Sequence, residues 1–120
     1  MILVDTSVWV DHLHKNDAKL NALLTEGQVL IHPLVIGELA LGSLRKRDTI
    51  LQLLNDLPRA ITVSESEMLD FITKHALFGQ GIGYVDAHLL AAARLNGVML
   101  WTRDKRLREA AIKLGLANER

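Results

Sequence analysis

The stretch Met1-Ile-Leu-Val-Asp5-Thr6-Ser7 decides the fold that we predict for this chain. Its first four residues are apolar in succession, which is typical of a strand buried on both faces of a parallel sheet. The apolar run ends at Asp5, and the two hydroxyl residues after it favour a turn and the start of a helix. Because ligands bind at the carboxyl edge of open α/β sheets, Asp5 is predicted at a functional edge.

A second apolar run, residues 98–101, ends in the same way. It leads into Thr102-Arg103-Asp104, after which a helical pattern begins. If the two strands are parallel neighbours, Asp5 and Asp104 lie at one edge of the sheet. Two crowded carboxylates repel each other, so such an edge requires a bound cation or a shared proton.

Strand-like and helical patterns alternate along the chain. Strands are predicted at residues 1–4, 28–31, 60–63 and 98–101. Helices are predicted at about residues 8–13, 17–24, 33–44, 48–57, 65–77, 84–96 and 104–114. This alternation predicts an α/β fold with a mainly parallel central sheet of 4–5 short strands between helical layers.

Length and composition predict a single cytoplasmic domain spanning residues 1–120. Apolar residues make up 49% of the chain, which is enough for one core. Cysteine is absent, which excludes disulfides and thiolate metal sites and fits a reducing compartment. The apolar runs are too short for a membrane span, and we expect no membrane partner.

Charge is balanced overall but uneven along the chain. Residues 1–38 carry five acids and two lysines, whereas Arg45-Lys46-Arg47 and residues 103–120 are basic. An acidic edge beside basic flanks suits a phosphate-bearing polymer held near bound metal. A solvated surface is the simpler explanation of the charge clusters taken alone.

Two further acids lie among apolar neighbours of their predicted helices. Glu38 has no cation one turn away, and neither has Asp86. An isolated charged carboxylate in such surroundings is costly unless something compensates it. Together with Asp5 and Asp104 they form a possible four-carboxylate cluster. Hard oxygen ligands favour Mg²⁺ or Mn²⁺, and such a cation can activate water and neutralise a phosphodiester.

Each acid also has an explanation that involves no metal. Asp5 and Asp104 could be turn or N-cap residues, and Asp104 could pair with Arg108. Asp86 lies in a first helical turn, where a carboxylate complements the helix dipole. Glu38 is predicted in mid-helix, where no cap is available, so it has the weakest alternative.

Four stretches carry a resemblance to a known family. They are Met1-Ile-Leu-Val-Asp5-Thr6-Ser7-Val8-Trp9, Val35-Ile-Gly-Glu38-Leu39, Val85-Asp86-Ala-His88-Leu-Leu-Ala-Ala-Ala93 and Leu100-Trp-Thr102-Arg103-Asp104. In this order and spacing the chain resembles a PIN-domain ribonuclease, specifically the VapC-type toxin of a bacterial type II toxin–antitoxin system. The resemblance covers nearly the whole chain. It departs from the pattern at His88, where relatives often have an aliphatic residue; a packed histidine and a contact to substrate or water are both open.

The resemblance implies a three-layer α/β/α fold and divalent-metal-dependent cleavage of RNA that leaves a 5′-phosphate and a 3′-hydroxyl. It implies that the catalytic and metal-binding acids are Asp5, Glu38, Asp86 and Asp104. Asp5 and Asp86 would be direct ligands of Mg²⁺ or Mn²⁺, and the other two would ligate or orient the attacking water. The hydroxyls that would hold these ligands in place are those of Thr6, Ser7 and Thr102. Family members are usually homodimers and form hetero-oligomers with a cognate antitoxin that covers the acidic site.

Two sets of surface residues are predicted to meet the macromolecular partners. The candidates for contact with the RNA backbone are Arg45, Lys46, Arg103, Lys105, Arg106 and Arg108. The candidates for contact with the antitoxin are Trp9, Leu51 and Leu54. Residues 39–57 hold more large apolar residues than one sheet face can use; two helices that share a core account for much of this, and a remaining exposed patch would bind an amphipathic antitoxin segment. Core packing is an equally good explanation of Trp9.

Two other functions are compatible with acids at a sheet edge. A Mg²⁺-binding phosphoacceptor signalling domain needs an acceptor Asp after a middle strand and a Lys after a later one. Here the third predicted strand ends at Val63-Ser64 and the last one is followed by Arg103. A non-catalytic PIN-fold binding module is the third possibility, and the complete set of four acids is evidence against it.

Overall fold

A three-stranded parallel sheet organises the computed structural model, which describes residues 1–118. The strands are β1 (Ile2–Val4), β2 (Val29–Leu30) and β3 (Met99–Trp101), in the order β2-β1-β3. Leu3 and Val4 of the central strand have no exposed surface, so both faces of the sheet are covered. The predicted α/β fold with a mainly parallel sheet is confirmed.

Helices cover the sheet. Within residues 1–118 they are α1 (Thr6–His14), α2 (Ala18–Thr25), α3 (Pro33–Ala40), α4 (Arg47–Asn55), α5 (Glu65–Lys74), α6 (Tyr84–Asn96) and α7 (Lys105–Lys113). Two predicted end signals are present, because Ser64 and Glu67 form a reciprocal capping box at α5 and Gly97 ends α6 in the left-handed conformation. Helix α3 ends at Ala40 and α5 at Lys74, earlier than predicted.

The predicted strand at residues 60–63 is wrong, and the described sheet has three strands rather than 4–5. Residues 31 and 59 make a single parallel bridge, and Ala60 donates to the carbonyl of Ile31 at 2.8 Å. Beyond this point the Asn96 side chain satisfies the backbone of Ile61. Its Oδ1 accepts from the Ile61 N–H at 3.0 Å and its Nδ2 donates to the Ile61 carbonyl at 2.9 Å. A side chain from α6 therefore takes the place of a neighbouring strand.

Candidate active site

Asp5 lies at the carboxyl end of the central strand and caps α1. Its side chain is 4% exposed. Three donors meet at one oxygen, Oδ2: the Ser7 N–H at 3.3 Å, the Ser7 hydroxyl at 2.7 Å and the Thr102 hydroxyl at 2.7 Å. Within residues 1–118, Oδ1 receives no hydrogen bond. The hydroxyls of Ser7 and Thr102 therefore fix the carboxylate and leave one oxygen for a ligand.

Glu38 is joined to the next residue of the same strand end. The Thr6 hydroxyl donates to Glu38 Oε1 at 2.6 Å, which connects α3 to the start of α1. Glu38 itself is exposed. The predicted apolar stripe around Glu38 is only partly buried. Val35 has no exposed surface, whereas Leu34 and Leu41 are 37% and 91% exposed. Glu38 needs no burial to reach the site, since Thr6 holds it beside Asp5.

Asp86 and Asp104 both act at helix N-termini. Asp86 Oδ2 accepts from the Gly83 N–H at 3.2 Å, and Asp104 Oδ1 accepts from the Leu107 N–H at 2.9 Å. Both aspartates thus cap a helix, as the explanation that involves no metal predicts. Each cap occupies one carboxylate oxygen, and in the described part of the chain the other oxygen accepts no hydrogen bond.

The charges of the four acids meet at Asp86, which is half-buried. Burial raises the pKa of this carboxyl, and the hydrogen bond from Gly83 partly offsets the rise. The negative charges of Asp5, Asp104 and Glu38 raise the pKa of Asp86 further. The four acids that the sequence singles out therefore lie near enough for three of their charges to act on the fourth, Asp86. We call Asp5, Glu38, Asp86 and Asp104 the acidic site.

The donors of the acidic site fit a hard divalent cation, because all of them are carboxylate oxygens and each acid keeps one oxygen free of hydrogen bonds from residues 1–118. In the same part of the chain, no three acidic or histidine side chains are close enough to hold one ion. A divalent cation bound here would therefore contact one or two of these carboxylates at a time and would keep several waters.

A sequence model of the PIN domain matches residues 2–113. The chain belongs to the PIN domain family. Within that family it is 49% identical to Ribonuclease VapC32 of Mycobacterium tuberculosis, in strains CDC 1551 / Oshkosh and ATCC 25618 / H37Rv, over 98% of this chain and 95% of the relative. The resemblance to VapC-type PIN domain proteins is thereby confirmed.

Two solved structures share the fold of this PIN domain at low sequence identity. The crystal structure of FitAcB from Neisseria gonorrhoeae aligns with a TM-score of 0.59 and 22% identity, over 93% of this chain and 94% of that chain. The structure of FitAB bound to IR36 DNA fragment aligns with a TM-score of 0.62 and 21% identity, over 93% and 91%. Among the described helices of the PIN domain, none has the length and apolar character that a membrane span requires.

Arg103, one of the candidate RNA contacts, is engaged in a structural network. Its guanidinium pairs with Asp11 at 2.7 Å and with Asp17, and it lies 5.5 Å from the centre of the Trp101 ring. Its backbone N–H donates to the Ser7 hydroxyl at 3.0 Å. Arg103 thus ties α1 and the start of α2 to the end of β3. Sequence reasoning missed this role because no local spacing links it to Asp11 and Asp17.

The other candidate RNA contacts lie on the surface of the PIN domain. Arg45, Lys46 and Arg108 are exposed. Arg45 lines a groove of about 610 Å³ whose wall also includes Glu38 of the acidic site. Lys46 has φ of 52°, the left-handed conformation, immediately before α4. Arg108 lines a separate cavity of about 600 Å³ beside Thr102.

Two of the three predicted antitoxin contacts are core residues in this structure. Trp9 and Leu54 are each 3% exposed, and Leu51 is partly buried against the same core. The helical period turns one stripe of α4 inward, so its exposed apolar residue is Leu53, which is 58% exposed. The exposed surface predicted at Trp9 and Leu54 is therefore wrong, and the core explanation of Trp9 is correct.

His88 packs among other rings. Its ring centre lies 4.7 Å from that of Tyr84 and 6.2 Å from that of His32. Its Nδ1 is buried and has no hydrogen-bond partner within residues 1–118. The packed-histidine interpretation accounts for these ring contacts.

Proposed function

We propose that this PIN domain protein is a Mg²⁺- or Mn²⁺-dependent endoribonuclease that hydrolyses RNA phosphodiester bonds. The observation that carries the proposal is the half-buried Asp86 with the charges of Asp5, Glu38 and Asp104 close to it. Such a concentration of negative charge is unfavourable unless a cation compensates it. A relative named as a ribonuclease, aligned over nearly the full length, supports RNA as the substrate.

Asp5 and Asp86 are the residues that we assign as direct ligands of the cation. Asp5 is the better oriented, because Ser7 and Thr102 hold its Oδ2 and leave Oδ1 for the ion. A divalent cation bound here would neutralise charge on the phosphodiester and activate water for in-line attack. The products would carry a 5′-phosphate and a 3′-hydroxyl.

Glu38 and Asp104 are assigned to the attacking water. Glu38 is exposed and its Oε1 is held by Thr6, so Oε2 can accept a hydrogen bond and then a proton from water. Asp104 holds the first turn of α7 through Oδ1, which leaves Oδ2 to orient the same water or the ion. The helix caps keep these carboxylates in place before the substrate arrives.

We propose further that the chain is the cytoplasmic toxin of a toxin–antitoxin pair, and that a segment of its antitoxin occupies the groove of about 610 Å³. The groove is lined on one side by apolar residues of α1 and on the other by the end of α3 and the residues that follow it. Its lining residues include Val10, Leu13, Leu39, Leu44 and Ile50. Because Glu38 also lines it, an apolar peptide bound there would cover the acidic site. A homodimer is the assembly that we expect for the unbound toxin, and sedimentation at several concentrations tests it.

The nuclease proposal is tested with purified protein and total RNA. Cleavage is expected with Mg²⁺ or Mn²⁺ and is expected to stop with EDTA, in Asp5→Asn and in Asp86→Asn. Asparagine keeps an oxygen for each helix cap, so these variants remove the charge and retain the local fold. Asp70→Asn, on the exposed side of α5, is the matched control and should cleave normally. Cleavage that persists with EDTA or in both site variants would refute the proposal.

A further inference from the structure

Arg106 lies against the backbone of the loop that precedes α6. Gly81 in this loop has φ of 75°, and a Cβ atom added to it would lie 2.1 Å from Arg106 Nη1. The same Cβ would lie 3.0 Å from Arg106 Cδ and Cζ. The 2.1 Å distance is below any real Cβ contact and the 3.0 Å distances are tighter than most, so the Arg106 side chain occupies the space that a side chain at residue 81 would fill.

This contact places a positive charge between the elements that carry two acids of the acidic site. Arg106 is in the first turn of α7, which Asp104 caps. Gly81 lies two residues before Gly83, whose N–H donates to Asp86. Arg106 of α7 therefore lies beside the loop that leads into α6.

Arg106 has no anionic partner of its own within residues 1–118. Arg103, which also follows β3, has its guanidinium taken up by Asp11 and Asp17. For Arg106 the described residues supply neither an ion pair nor a hydrogen bond. Arg106 is exposed beside the Gly81 backbone, and its donors meet no acceptor within residues 1–118. Its planar guanidinium is therefore available to a phosphate group.

We propose that Arg106 binds a backbone phosphate of the RNA next to the bond that is cleaved, and that Gly81 admits Arg106 to this position. The inference rests on the proposed ribonuclease function for its substrate. It adds a substrate-binding residue outside the acidic site, and it gives Gly81 a positioning role that depends on its lack of a side chain. Arg106 then binds a neighbouring phosphate, and the acidic site acts on the scissile phosphate.

The test measures binding of a fluorescein-labelled single-stranded RNA by anisotropy in EDTA, where no cleavage is expected, at several salt concentrations. Arg106→Ala is expected to raise Kd about tenfold, as the loss of one charge-assisted hydrogen bond would. The slope of log Kd against log salt should fall by about 0.7, the value for one phosphate contact on a single strand. Arg106→Lys should keep the slope and recover only part of the affinity, because it retains the charge and loses the planar fork.

Gly79 provides a matched control for Gly81. It has φ of 71° in the same loop, and a Cβ added there meets nothing within 4 Å. Gly79→Ala and Gly81→Ala both place a side chain at a positive φ, and only Gly81→Ala also displaces Arg106. Gly81→Ala is expected to weaken RNA binding several-fold more than Gly79→Ala. In an Arg106→Ala background the two glycine variants should bind equally.

Unchanged affinity and salt slope in Arg106→Ala would overturn the inference, as would equal effects of the two glycine variants in the wild-type background. Wild-type protein that fails to bind RNA would overturn it as well. If either glycine variant does not fold, the alanine and lysine variants of Arg106 still decide. Wild-type protein that binds RNA through Arg106 and never cleaves it would refute the proposed nuclease function and support the Arg106–phosphate contact. Protein that cleaves RNA with Arg106→Ala at full affinity would refute the contact alone.

Discussion

His32 makes the stability of this PIN domain sensitive to mild acid. The side chain is 1% exposed, and its Nδ1 accepts the Leu34 N–H at 3.0 Å as the N-cap of α3. Burial, together with the charges of His88 and Arg59, lowers the pKa of His32 from 6.5 to about 4. A proton on Nδ1 would also remove the cap of the helix that carries Glu38.

The size of the effect follows from the two pKa values. Between pH 6.5 and about 4 the unfolded chain binds a proton at this position and the folded chain does not, so the free energy of unfolding falls as the pH falls. The contribution is fully present above pH 6.5. At about pH 5 the loss is about 2 kcal/mol, and at about pH 4 it is about 3 kcal/mol.

Urea unfolding of wild type and His32→Asn at about pH 7.5 and about pH 5, in EDTA, measures this loss. Asparagine keeps an oxygen for the Leu34 N–H and does not titrate. The wild type should lose about 2 kcal/mol more than the variant between the two pH values. Wild type is compared with the variant because the raised pKa of Asp86 has the opposite effect: it increases the free energy of unfolding as the pH falls. His14→Asn, at an exposed residue of α1, is the control. Equal losses in wild type and His32→Asn would refute the reasoning.

Three further outcomes test the acidic site and its supports. In EDTA at neutral pH, Asp86→Asn should melt no lower than wild type, because it relieves the repulsion that raises the pKa of Asp86. Mg²⁺ should raise the Tm of the wild type only. A large fall in the Tm of Asp86→Asn in EDTA would favour a purely capping role. Thr102→Val removes the 2.7 Å hydrogen bond to Asp5 and should lower kcat about tenfold or more, with recovery in Thr102→Ser; unchanged kcat would show that Asp5 needs no such support. Arg103→Ala breaks the pairs with Asp11 and Asp17 and should cost about 1 kcal/mol in thermal unfolding, with no change in the salt slope of RNA binding.

Local sequence signals were sufficient for the elements that depend on local chemistry. The apolar run before Asp5 forms the central strand, and Ser64 with Glu67 forms the capping box. The sequence did not predict the roles of residues whose hydrogen-bond or ion-pair partners are distant in sequence. Ile61 has the composition of a strand residue, but Asn96, 35 residues later, supplies its hydrogen bonds. Arg103 looks like a free basic residue because its partners lie 92 and 86 residues away.

The exposure of side chains was harder to predict than their proximity. Glu38 was expected at the site because apolar residues surround it in the helix, and it is near the site for another reason, the hydrogen bond from Thr6. Helix periodicity shows which residues share a face, but it does not show whether another element covers that face. For the same reason Leu54, chosen as a surface residue, lies in the core.

The capping and metal-binding explanations of the aspartates were stated as alternatives, and the geometry makes them compatible. A carboxylate has two oxygens, and a helix cap uses only one. Asp5, Asp86 and Asp104 each give one oxygen to an N–H at or near the start of a helix and keep the other. The caps offset part of the free-energy cost of crowding these charges, because each helix N-terminus favours a negative group. The same bonds fix the direction of the free oxygens, so the starts of three helices stabilise the fold and would hold those oxygens in place for the cation that we propose.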